Sequence, residues 1–135
     1  MRARGEFGVK LVPQPPADKT EDSMLGRMTI EKEYRGDLVA TSKGEMLTAT
    51  SAIPGSAGYV AIERVIGNLG GHTGSFVLQH SGTLNRGEPR LNISIVPDSG
   101  TGELTGAAGT MRVEVTGGKH FYEIDYTLPG SSDPE

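Results

Sequence analysis

Gly58-Tyr-Val-Ala-Ile-Glu-Arg-Val-Ile-Gly-Asn68 and Gly74-Ser-Phe-Val-Leu-Gln-His-Ser-Gly-Thr-Leu84 read as two β-strands joined through Gly70-Gly71. Both are rich in β-branched and aromatic residues, and paired glycines supply the positive φ of a tight turn. The pattern continues in both directions. Gly5–Val12 alternates Phe7, Val9 and Leu11 with Glu6, Gly8 and Lys10, and Arg90–Val96 alternates Leu91, Ile93 and Ile95 with Asn92 and Ser94. Such alternation marks one buried and one solvated face. With Leu25–Tyr34, Asp37–Ala49, Thr110–Thr116 and Lys119–Leu128 the count reaches eight strands. Arg35-Gly36-Asp37, Pro54-Gly55-Ser56, Asn85-Arg86-Gly87-Glu88 and Gly117-Gly118 provide the turns. No long stretch keeps apolar residues at helical spacing. Eight strands suit an all-β, antiparallel closed barrel whose interior is filled by side chains or holds one small ligand. Ser99–Gly109 breaks the rhythm, and its Glu103–Ala108 portion is expected to hold one short helical turn.

The composition agrees. Gly accounts for 20 of 135 residues and hydrophobic residues for 35%, a balance that favours a turn-rich β chain over a helical bundle. A mass of 14.2 kDa fits one domain, assigned to residues 1–128 with a Pro-rich connection at 13–22 and a flexible tail at 129–135. Net charge −4 and pI near 5.4 offer no basic face to a phosphate backbone, which argues against nucleic acid. Zero Cys excludes disulfides, thiolate metal sites and a cysteine nucleophile. No apolar run approaches the roughly 20 residues that span a bilayer, and Met1–Gln14 alternates instead of carrying a signal peptide's apolar segment. A cytoplasmic protein with no membrane partner is the expectation.

Few residues invite chemistry. His80 shares a strand face with Phe76, Leu78 and Leu84, where it is either a buried histidine satisfied by one partner or a polar anchor or proton carrier in a pocket. Glu63 and Arg64 are adjacent, so only one enters the barrel, and that one requires a partner because an isolated buried charge is costly. Glu63 is the expected inward residue, with Tyr59 beside it, since a carboxyl can be neutralised or hydrogen-bonded and a guanidinium stays charged. Gln79, Glu45 and Tyr122 are further candidates because they lie mid-strand among apolar residues. Tyr59, Glu63, Gln79 and His80 are expected to line or border one cavity. Glu103 is expected to cap a turn or accept backbone donors. His72, His80 and His120 lack a metal-binding spacing, so no metal and no cofactor is expected. No Gly-x-Ser-x-Gly elbow and no Gly-Lys-Ser/Thr phosphate loop occurs.

Three motifs in order, Tyr59-Val-Ala-Ile-Glu-Arg64, Gly74-Ser-Phe-Val-Leu-Gln-His80 with Gly82, and Pro97-Asp-Ser-Gly-Thr-Gly-Glu-Leu104 with Gly106 and Gly109, resemble the bacterial domain-of-unknown-function family 3224. The Gly-Thr-Gly segment is also similar to one in dirigent proteins and allene oxide cyclases, which implies an eight-stranded antiparallel barrel of the allene oxide cyclase type. No activity follows from the resemblance. The leading expectation is a barrel that binds a small apolar or amphipathic molecule. The alternatives are an isomerase or cyclase using a pocket carboxylate or His80, and an interaction module whose barrel is filled. Because Gly58–Asn68 and Lys119–Leu128 carry apolar residues on both faces, a homo-oligomer is expected, a dimer by preference, although a trimer serves equally well physically.

Overall fold

The computed structural model describes residues 1–130. Among them the chain forms β1 (Arg2–Gln14), β2 (Leu25–Gly36), β3 (Leu38–Thr50), β4 (Ala57–Leu69), β5 (His72–Asn85), β6 (Glu88–Ile95), β7 (Thr101–Gly102), β8 (Ala108–Thr116) and β9 (Lys119–Thr127), with no helix. The hydrogen-bonded order is β4-β3-β2-β1-β9-β8-β6-β5, and pairing of β4 with β5 closes the ring. Eight strands therefore make a closed antiparallel barrel, and β7 lies outside it against β5.

The β4–β5 hairpin shows how the sequence produces this. Gly70 and Gly71 both adopt positive φ, 58° and 94°, and from that turn the ladder runs from Leu69↔His72 to Ala57↔Leu84. Alternation then sends Ala61, Glu63, Val65 and Leu69 inward and Val60, Ile62, Arg64 and Ile66 outward. At one end the barrel is filled by Tyr34, Leu38, Val65, Leu69, Phe76, Leu78 and Ile124, all essentially without exposed surface. Burial of each such side chain contributes roughly 1.5–3 kcal/mol, so this end supplies much of the core's stability.

The helical turn expected at Glu103–Ala108 does not form. Gly102 and Gly106 take left-handed φ of 59° and 79°, and Glu103 donates its N–H to Thr73 instead of to a helical partner. What remains is a run of tight turns, Leu104 to Thr101, Thr105 to Gly102 and Ala107 to Leu104. Leu104 and Ala107 are buried there and cap the filled end. Strand β1 also runs further than expected, with Pro13 opposite Met28 and Gln14 opposite Arg27, so the Pro-rich connection begins at residue 15. Of the expected tail, Pro129 and Gly130 form a turn, and residues 131–135 lie outside the described residues.

The ring is not equally tight all round. Strands β6 and β8 share only Ile93↔Met111 and Ser94↔Thr110, and β1 and β9 are paired only from Arg2↔Asp125 to Phe7↔His120. Beyond these pairs, residues 8–14 of β1, 88–92 of β6 and 112–116 of β8 each have a strand partner on one side only.

Candidate functional site

Behind this loosely paired seam the interior is hollow. Phe7, Val9, Ile30, Ala61, Ile93 and Val113 are among the walls of a cavity of about 260 Å³, and Lys32 and His80 border it. Met46, Tyr59 and Leu91 also face an adjoining, almost wholly apolar groove of about 510 Å³, so the cavity leads outward past them.

Between the hollow and the filled ends lies Glu63, with no exposed surface. Its Oε1 accepts from Lys32 Nζ at 2.8 Å and lies 2.7 Å from His80 Nε2. Its Oε2 accepts from Ser42 Oγ at 2.5 Å and Tyr34 Oη at 3.0 Å. Burial acts to raise the Glu63 carboxyl pKa. The His80 hydrogen bond, the Lys32 charge and hydrogen bond, and Ser42 outweigh it and lower the value to about 2. Glu63 is therefore a carboxylate at neutral pH and can only accept, so His80 carries its hydrogen on Nε2. Burial and the Glu63 charge push the Tyr34 phenol well above its ordinary value, which keeps it a donor. Lys32 Nζ lies 4.9 Å from the centroid of the Phe7 ring and 5.8 Å from that of Tyr34, a cation–π arrangement.

Strand register assembles this cluster. Ile30, Lys32 and Tyr34 alternate inward on β2, Ala40 and Ser42 on β3, Glu63 on β4 and His80 on β5. Gly44 stands opposite Glu63 in the β3–β4 ladder, and a Cβ at Gly44 would run into the Ile62 carbonyl and the Glu63 backbone. Gly82 stands opposite Tyr59, whose ring lies where a Gly82 side chain would be.

The structure brings together Glu63 and His80, and places Tyr59 at the mouth of the same cavity. The others go elsewhere. Gln79 follows the alternation that turns His80 inward and is itself exposed on the outer face, so it cannot share the cavity floor. Glu45 is exposed and pairs with Arg27. Tyr122 points inward but toward the filled end, where its hydroxyl donates to the Arg35 carbonyl at 2.8 Å and accepts from the Leu38 N–H at 2.9 Å. Glu103 accepts from the Thr73 N–H at 2.8 Å, a turn-stabilising role. Lys32, Tyr34 and Ser42 had no place among the sequence candidates.

These features define a small antiparallel barrel, packed at one end and hollow at the other, with a buried carboxylate at the boundary. The chain belongs to the DUF3224 family, described as a protein of unknown function, whose sequence model matches residues 3–126. A crystal structure of a DUF3224 protein of unknown function from Shewanella oneidensis MR-1 is similar, with 47% identity, 97% of this chain and 98% of that chain covered, and a TM-score of 0.92. Comparison with curated proteins gives no match.

Proposed function

We propose that the protein binds a small, uncharged amphipathic molecule in the hollow half of the barrel, its apolar part against Phe7, Ile30 and Ile93 and its polar head at Lys32 and His80. The observation that supports this reading is unused hydrogen-bonding capacity on two residues, Lys32 and His80, that border the cavity. Each Glu63 oxygen has two partners, whereas Lys32 Nζ makes one hydrogen bond although an ammonium has three N–H groups. His80 Nδ1 has no hydrogen-bond partner in the protein either, since its ring bonds only through Nε2. Buried polar groups are usually paired, so spare donors on Lys32, beyond its contact with the Phe7 and Tyr34 rings, and an unengaged ring nitrogen on His80 beside an apolar hollow suit a ligand's head group. Lys32 and Glu63 cancel in charge, so a neutral head group avoids the cost of bringing an unpaired ion into an apolar site. The cavity is close to the lower end of the ~300–1,000 Å³ common for ligand sites, which favours a small ligand.

Fluorescence of N-phenyl-1-naphthylamine, titrated into the protein and displaced with straight-chain alcohols and ketones, tests the reading. Saturable binding that Leu91→Trp abolishes at the cavity mouth is expected. Absence of displaceable binding, or binding indifferent to Leu91→Trp, would overturn it.

A further inference from the structure

Lys32 and His80 reach the same oxygen, Glu63 Oε1, at 2.8 and 2.7 Å, so they stand side by side at the cavity floor. With the ionised Glu63 fixing a hydrogen on Nε2, the neutral form of the imidazole carries its lone pair on Nδ1. The His80 side chain keeps 6% of its surface exposed and borders the hollow, and Nδ1 is the ring nitrogen that Glu63 does not engage. A base and an ammonium donor thus share one apolar chamber, and a carboxylate behind them orients both.

Resting on the binding reading above, we propose that this chamber catalyses proton transfer at the carbon next to a ketone carbonyl, with His80 as the base and Lys32 as the group that holds the carbonyl oxygen. The C–H bond breaks and its proton passes to His80 Nδ1. The electron pair left behind forms the carbon–carbon double bond of the enolate, and the negative charge settles on the oxygen, where the free N–H groups of Lys32 receive it. Donors already in place in a site walled mainly by apolar side chains stabilise such a charge better than they would in bulk solvent. Glu63 balances the imidazolium formed on His80 and keeps its ring in position, which makes Glu63 a positioning residue. Return of the proton from Nδ1 to the carbon completes the cycle, with no oxidant, reductant or co-reactant needed. In a β,γ-unsaturated ketone, return to the γ carbon instead shifts the double bond into conjugation.

The test is hydrogen–deuterium exchange of 2-octanone in D2O, followed by loss of its α-proton NMR signals, with binding read from the same samples by saturation transfer. The wild-type protein is expected to exchange these protons about 10²–10⁴-fold faster than imidazole at equal concentration. His80→Gln and Lys32→Met each remove a group that holds the head, so both should bind the ketone more weakly, and at ketone concentrations that restore the saturation-transfer signal both should still exchange it no faster than imidazole does. Leu91→Trp leaves the cluster intact and should lose both binding and exchange, so the comparison survives if either cluster variant fails to fold. Bound ketone exchanging at the imidazole rate, or undiminished exchange in Leu91→Trp, would overturn the inference and leave the binding reading to its own assay. Absence of bound ketone alongside absence of probe displacement would overturn both.

Discussion

Glu63 is the residue on which the interior is organised, and its titration has a direct consequence for stability. Its carboxyl pKa is about 2 in the folded chain, against about 4.3 in an unfolded one. Because the folded value is the lower, the stabilisation is complete above the unfolded value and is lost as pH falls toward the folded one. A loss on the order of 3 kcal/mol between about pH 5 and pH 2 follows, visible as a falling urea midpoint. Glu63→Gln should flatten that dependence. At neutral pH the same change leaves Lys32 buried beside an uncharged partner and should destabilise by about 3–5 kcal/mol. Gly44→Ala, which drives a methyl group into the backbone of Ile62 and Glu63, is expected to cost about 1–3 kcal/mol. Glu63 was legible in the sequence because a choice between it and Arg64 turns on which charge can be satisfied inside. Lys32 was equally legible in principle, since it shares its strand face with Ile30 and Tyr34. The flanking Glu31, Glu33 and Arg35 disguise it as part of a solvated charge run. Gln79 fails for the reason His80 succeeds: neighbours on a strand face opposite ways.

Among the elements, the strands were readable and the exception was not. Period-two alternation locates a strand without knowledge of its partners, and glycine pairs such as Gly70-Gly71 mark the turns. The segment from Thr101 to Ala107 lacks that signal, because its conformation depends on left-handed glycines and on Thr73 taking the Glu103 N–H. Its importance lies in packing, since Leu104 and Ala107 cap the filled end. Leu104→Ala should cost about 2–5 kcal/mol, measured by denaturant unfolding. The connection at residues 15–24 is almost entirely exposed, and shortening it should change the midpoint little. Deletion of β1 is different in kind. That strand pairs with both β2 and β9, and its loss is expected to prevent folding, seen as absent β-sheet circular dichroism.

For the molecule as a whole, closure settles the inner surface and leaves the outer one open to a partner. Leu47, Val60, Ile62 and Ile66 are each about half exposed on the outer face of β3 and β4, with Leu47 directly opposite Val60. A stripe of this kind is commonly covered by a second copy about a two-fold axis. Light scattering at micromolar concentration is expected to give twice the 14.2 kDa chain mass; a mass of one chain removes the expectation. The seam where β6 meets β8 has a further consequence, for solubility. A complete barrel has no edges, but residues 8–14 of β1 and 88–92 of β6 keep one side unpaired, and such backbone recruits strands from other molecules. These same stretches carry Lys10 and Pro13, and Pro89 and Arg90. Proline withholds an amide and a fixed charge resists stacking, so the residues that look like interruptions of the strand pattern guard the opening against intermolecular sheet growth. Replacing Pro13 and Pro89 with valine would leave the barrel able to form and make its concentrated solutions prone to fibrillar aggregation.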